Sequence, residues 1–223
     1  MNNKLKILAT ALMTLAMISC AENESPFIEG GSSSNNIVSA KNFALSFDDL
    51  SPDVYDVAND ITFTSIPVVI TVNAGDRFQA KVTGGTVFFR TEVGLLDSSS
   101  CELVNGTCSV NWVSAIEPNA RPADNINTVT AWMTGEEGFT DLNGSGIFDD
   151  GDIFTHDLSD PFLDLSHDGL TPTYNAGVDA LIIDTAFDAA DSAYSGTGCA
   201  HSTLCATTSS TFLFDTQEMD LAF

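Results

Sequence analysis

The sequence predicts an all-β domain, a β-sandwich interrupted by one long acidic insertion. Three observations carry this. Short β-rich runs recur between about residues 39 and 135, with turn signals between them and no helical periodicity. A further run, Thr211-Phe-Leu-Phe214, reads as a late returning strand. Between the two, residues 136 to about 198 hold 14 acidic residues and many glycines but few strand-like runs. A structureless excursion of that length inside a domain is functional, or is organised by something other than a core.

The elements follow in order. Residues 1–19 read as a leader: Lys4 and Lys6 precede an apolar run from Ile7 to Ile18, too short for an ordinary transmembrane helix. The run ends at Ser19-Cys20, a small residue before a cysteine, which resembles a bacterial lipobox with Met17 where Leu is usual. That resemblance implies cleavage before Cys20, lipidation of Cys20, and anchoring at the outer membrane or cell surface; the rival is ordinary cleavage after Ala21. Residues 20–38 read as a flexible tether, rich in Ser, Gly and Asn. The domain then occupies 39–223. Phe43, Leu45 and Phe47 alternate with smaller or polar residues, as do Ile66, Val68, Ile70 and Val72. Next come the runs 86–90, 109–113 and 128–133, with turns at Asn73-Ala-Gly75-Asp76, Gly84-Gly85 and Asn105-Gly106. Trp112 and Trp132 read as core fillers.

Charge and cysteines bound the function. The chain carries 7 basic and 31 acidic residues, a net charge of −24, and no Lys or Arg follows Arg121. Such a surface repels phosphates, so nucleic acid is excluded as a partner. Beyond Cys20 the cysteines are Cys101, Cys108, Cys199 and Cys205. Four cysteines allow three pairings. Local spacing favours Cys101–Cys108 and Cys199–Cys205 in an oxidising compartment, and the absence of a C-x-x-C pair argues against zinc. A strict two-residue turn at Asn105-Gly106 would set Cys108 opposite Leu103, so the first bridge is expected to need a wider loop or a bulge.

The candidate chemistry lies in the insertion. From Asp141 to Asp152 the chain reads as a twelve-residue cation loop. Oxygen-bearing side chains stand at positions 1, 3, 5, 9 and 12: Asp141, Asn143, Ser145, Asp149 and Asp152. Gly146 occupies the sharp turn at position 6, the Ile147 carbonyl offers a ligand at position 7, and Phe148 is the apolar anchor at position 8. Oxygen-only donors in this spacing suit Ca²⁺. Asp replaces the usual bidentate Glu at position 12 and no helix precedes the loop, which predicts a structural clamp with Kd of about 10⁻⁴ M rather than a sensor. Asp157 and Asp160 follow closely enough to assist. A second, degenerate loop starts at Asp164, Ser166 and Asp168 with Gly169 at position 6, and Thr171-Pro-Thr173 reads as inserted before Tyr174-Asn175. A third cluster comprises Asp184, Asp188 and Asp191. The stretch Val178–Tyr194 alternatively fits an amphipathic helix. His156 and His167 add a weaker, transition-metal alternative.

Taken together, Ala74-Gly-Asp-Arg77-Phe, Gly84-Gly-Thr-Val-Phe-Phe-Arg-Thr91, Cys101…Cys108-Ser-Val-Asn-Trp112 and Thr128-Val-Thr-Ala131 resemble a bacterial immunoglobulin-like domain of the invasin/intimin type. In one subset of that family the last strand leads into Asp/Asn/Gly loops and ends near a cysteine pair. Gly135-Glu-Glu-Gly-Phe-Thr-Asp141-Leu-Asn-Gly-Ser-Gly146 and Tyr194-Ser-Gly196…Cys199…Cys205 are similar to this. The resemblance covers roughly 39 to 215 and implies an Ig-like β-sandwich in an exported surface protein.

The expectation is a surface-anchored, calcium-binding Ig-like module with a binding, adhesive or structural role toward a protein or glycan. It is not an enzyme on this reading: His156, His167 and His201 lie in no nucleophile motif. The alternative is a hydrolase using paired carboxylates.

Overall fold

Alternating apolar residues send one face of each strand inward, and the computed structural model of the chain has the expected all-β form. It describes residues 34–56, 61–62, 67–114, 122–168 and 172–222; the leader, Cys20, most of the tether, Ile66 and residues 169–171 lie outside the described residues. The strands are β1 (Val38–Phe47), β2 (Tyr55–Asp56), β3 (Ile61–Thr62), β4 (Pro67–Asp76), β5 (Thr86–Thr91), β6 (Leu95–Leu96) and β7 (Ser100–Glu102). They continue as β8 (Thr107–Val113), β9 (Ile126–Gly135), β10 (Gly138–Thr140), β11 (Ile153–His156), β12 (Phe162–Leu163), β13 (Ala180–Leu181) and β14 (Thr211–Asp220). Two four-stranded antiparallel sheets form, ordered β1-β4-β8-β6 and β14-β9-β5-β7. The inner faces share one core, including Val68, Ile70 and Val72 of β4, Val87 and Phe89 of β5, Trp112 of β8 and Leu213 of β14. Each such side chain, fully buried, contributes about 1.5–3 kcal/mol.

β1 belongs to both sheets. Its first residues bond to the end of β9, through Ala40 N–H to Glu136 O and Glu136 N–H to Val38 O, each 2.8 Å. It pairs with β4 at Val38, opposite Asp76, and, after a register break, from Phe43 onward.

Both expected disulfides are present, but the geometric condition on the first is not what the sequence implied. Asn105 and Gly106, both at positive φ, make a strict two-residue turn closed by reciprocal Val104 and Thr107 bonds. No widening or bulge is needed, because the strands part at once. Leu103 N–H bonds to Gly85 O and β7 joins β5 in the second sheet, while β8 stays with β4 in the first. Cys101 and Cys108 thus bridge the two sheets, with Cα atoms 5.9 Å apart.

Two further expectations are corrected. Trp112 is a core filler with no exposure, but Trp132 points out of the second sheet and stacks on Phe88, ring centres 5.7 Å apart. Its neighbours Ala131 and Met133 take the inward positions, so period-2 alternation leaves Trp132 outside. Val178–Tyr194 is no helix. It contributes β13 and then irregular chain, since the Asp179 carboxylate is drawn back onto Leu165 and Asn175 and Ser192 stands at positive φ.

The insertion leaves and returns at one point. Gly135 of β9 pairs with Thr211 of β14, so the excursion runs to residue 210 rather than ending near 198. It has its own small core of Phe139, Phe148 and Tyr194, flanked by Phe154, Cys199 and Leu204.

Candidate functional site

Each proposed cation loop is closed at its base by a short antiparallel pair. β10 and β11 flank residues 141–152, and β12 and β13 flank residues 164–179. The strand stems explain the missing entering helix.

In the first loop the position-1 carboxylate organises the turn. Asp141 accepts the amides of Gly144 at 2.7 Å, Ser145 at 3.2 Å and Gly146 at 2.8 Å. These bonds, that of Gly146 foremost, hold its pKa below the ordinary carboxylate value. Gly146 has φ +76°, the left-handed region that favours glycine, and a Cβ there would press on the Phe78 ring at 3.0 Å. Asn143 Nδ2 donates to Asp149 Oδ1 at 2.8 Å, and Ser145 Oγ donates to the Ile147 carbonyl at 3.1 Å. Asp152 closes the ring, accepting Leu142 N–H at 2.9 Å and Asp149 N–H at 3.0 Å. All six sequence-assigned positions therefore join one connected loop. Phe148 is fully buried, as a position-8 anchor should be, and its backbone forms an isolated bridge to the segment at Cys199.

The second loop repeats this scheme with extra residues. Asp164 accepts Ser166 N–H at 3.0 Å and His167 N–H at 2.9 Å. Asp179 plays the part of Asp152: it accepts Leu165 N–H at 2.9 Å with one oxygen and Asn175 N–H at 2.6 Å with the other. Asn175 Nδ2 reaches Ser166 Oγ at 2.8 Å and Asp168 Oδ2 at 3.1 Å, tying the assigned trio Asp164, Ser166 and Asp168 together. Asp168 is held below its ordinary pKa first by the Thr173 hydroxyl. Asn175 and Asp179 were not among the sequence-assigned ligands. The signal for them was present: the Asn and the terminal Asp recur beyond the inserted Thr171-Pro-Thr173.

The other candidates separate from these loops. Asp157 and Asp160 do not assist the first loop; they receive the amides of Ser192 and Asp188. Asp160, Asp188 and Asp191 line a groove of about 370 Å³ with Glu137, and Asp184 is not among its lining residues. Glu137 is buried, and burial raises its pKa, although the amides of Leu158 at 2.8 Å and Ser195 at 2.6 Å pull the other way. The two histidines do not meet. His156 contacts Thr155. His167 pins the second loop to the sandwich through Asp124 at 2.7 Å and Glu92 at 3.3 Å. Burial alone would lower the His167 pKa; Asp124, Glu92 and Glu218 together raise it.

Arg77, in the turn after β4, locks the first loop to the sandwich. Its guanidinium makes a bidentate pair with Glu136, donates to Gly146 O at 3.1 Å and to Thr197 O at 2.7 Å, and lies over the Phe139 ring. Glu136 is fully buried, so the pair is desolvated as well as hydrogen-bonded. Tyr194 packs beside it, its pKa raised by burial and by the charge of Glu136. Gly196 allows this approach, because a Cβ there would stand 2.3 Å from the Tyr194 hydroxyl.

Among the described residues, no group of three or more His, Cys, Asp or Glu side chains is gathered closely enough to hold a metal. The donor sets of both loops are mixed, with amide, hydroxyl and carbonyl oxygens beside the carboxylates. Each carboxylate has about four lone-pair sites, so the backbone amides leave acceptor capacity for a hard cation. The residues present therefore fit Ca²⁺ in kind. No family model, no curated protein and no solved structure matches the chain.

Proposed function

We propose that this chain is an exported, lipid-anchored β-sandwich module of immunoglobulin-like topology, whose insertion is stiffened by Ca²⁺ and whose role is binding, adhesive or structural rather than catalytic. The observation that carries the reading is the repeated scheme of the two loops. In each, a terminal Asp spans the second amide of the loop and an amide near its end, around a first Asp that gathers the turn. Two independent segments sharing one arrangement of oxygen donors suits a common ligand better than a generic acidic surface. The sheet orders support the topology: β1-β4-β8-β6 and β14-β9-β5-β7 correspond to the ABED and GFC sheets of immunoglobulin domains, with one added edge strand. The sandwich disulfide differs from that of antibody domains, since it joins β7 to β8. The Ser19-Cys20 pattern supports the anchor. Glu137, a carboxylate whose pKa burial raises, has both oxygens engaged by backbone amides, an arrangement that fixes chain rather than offering a proton to a substrate.

Thermal unfolding with Ca²⁺, Mg²⁺ or chelator tests this. With Kd of about 10⁻⁴ M, about 10 mM Ca²⁺ adds roughly 2.7 kcal/mol for each loop that binds it, a midpoint rise of about 5–10 °C per loop for a domain of this size. Asp152→Asn and Asp179→Asn should each remove part of the rise, and the double variant nearly all of it. A midpoint indifferent to calcium would reduce both loops to acidic surface.

A further inference from the structure

The outer face of the second sheet is divided in two. Over one half the insertion lies directly on the strands: Thr130 Oγ1 donates to Phe162 O at 3.0 Å, Phe162 packs on Phe214, and Arg90 reaches Leu181 O at 3.0 Å. The other half is left open by the described residues. There Phe88 and Trp132 stack with their planes 23° apart, and Phe212 stands beside them. Phe88 is 42% exposed and Phe212 36%. Such a cluster of exposed rings on an otherwise polar surface marks an interaction site.

The rings floor a groove of about 260 Å³, edged by Thr86, Met133 and Thr134. Gly85, Met133 and Thr134 also border a second concavity of about 400 Å³, lined by Asn36, Thr83 and apolar residues. Among the described residues, none that lines either hollow is charged, in a chain where 31 of 223 residues are acidic.

We propose that the aromatic groove binds a neutral oligosaccharide, with sugar rings stacked on Phe88 and Trp132 and the adjoining concavity extending the site. Sugar rings present apolar C–H faces that suit an aromatic floor, and their hydroxyls suit neutral polar edges of the Thr and Asn kind. Charge selects among ligands. An anionic glycan meets no base among the described lining residues and is repelled by the net −24 field, to which Glu102, bonded to the Thr86 hydroxyl at the groove's edge, adds locally. The insertion already covers half of the sheet, leaving a strip suited to a saccharide chain rather than to the broad face of a stable protein interface. The inference rests on reading the chain as a binding module and names the chemistry of its partner.

The test uses the calcium-loaded mature chain on a panel of immobilised neutral and acidic glycans, followed by fluorescence titration with each neutral oligosaccharide retained. Trp112 is fully buried, so any ligand-induced emission change reports Trp132. Neutral glycans should be retained, and Trp132→Ala and Phe88→Ala should each weaken binding about tenfold with the thermal midpoint little changed. Retention of no neutral glycan, retention of acidic glycans alone, or binding indifferent to both substitutions would overturn the proposal. So would self-association abolished by Trp132→Ala, which assigns the groove to a second copy. Protection of Trp132 from acrylamide that is lost in Phe27→Ser would likewise assign it to residues 21–33. Failure here with the calcium-dependent midpoint intact sinks only the glycan; glycan binding without any calcium effect sinks only the clamps.

Discussion

The sandwich and its insertion are held together by opposite means. The sandwich buries aliphatic side chains between two sheets, and its polar groups are largely those of the strand ladders. The insertion has three fully buried aromatic anchors, one disulfide, and a lattice of carboxylates that accept backbone amides. A carboxylate bonded to two or three amides can fix a loop as firmly as a core residue fixes a strand, but only while it stays ionised and its charge is balanced. The insertion depends on such carboxylates throughout, whereas the sandwich uses them at single points such as Asp76 and Asp215. The two regions meet at Arg77, which belongs to the sandwich and satisfies both Glu136 and the first loop.

The largest expected effect therefore comes from breaking that junction. Arg77→Ala leaves Glu136 buried and unpaired and should cost about 3–5 kcal/mol in denaturant unfolding. Should the loss stay under about 1 kcal/mol, the two regions do not depend on each other. A smaller effect separates them. Replacing Cys199 and Cys205 by Ser removes a short closed loop worth about 2 kcal/mol. Hydrogen exchange should rise around Phe148 and Tyr194 while β4, β8 and β9 stay protected; a uniform rise would mean that the insertion and sandwich unfold as one unit.

The smallest effect is pH dependence in chelator. Glu137 has its folded pKa raised above 4.5 by burial. The folded state thus binds that proton more tightly, so its contribution is present below the unfolded value and is lost as pH rises through the folded one. Asp141 and Asp168 are lowered from 3.8, so theirs is present above that value and is lost on further acidification. Unfolding midpoints should improve slightly as pH falls towards 4.5 and then decline below 3.8. Glu137→Gln should reduce the improvement, which Glu92 and Asp215, also raised by burial, share, and should keep the decline; an unaltered profile would assign the titration to those two.

Much of this was legible in the chain itself. Local rules set the strand runs, the Asn105-Gly106 turn, the span of the first loop with its glycine and its Phe148 anchor, and both cysteine pairs. Each depends on neighbours within a few residues, where periodicity and turn chemistry act directly. Even the second loop's start was readable from Asp164, Ser166 and Asp168, because its spacing is local. Its end was not, since an insertion separates Asp179 from the ligands that it joins.

The remaining features depend on which distant segments touch, and no local pattern encodes that. Cys101–Cys108 was assigned from sequence spacing, but only the parting of β7 and β8 made it a bridge between sheets. Alternation put Trp132 on one face of β9, but only the partial cover of the second sheet by Phe162 and Leu181 left it beside Phe88 on an open groove. Arg77 and Glu136 are unremarkable in the sequence. Folding brings them together because a buried charge is tolerable only when its partner is brought to it from elsewhere in the chain.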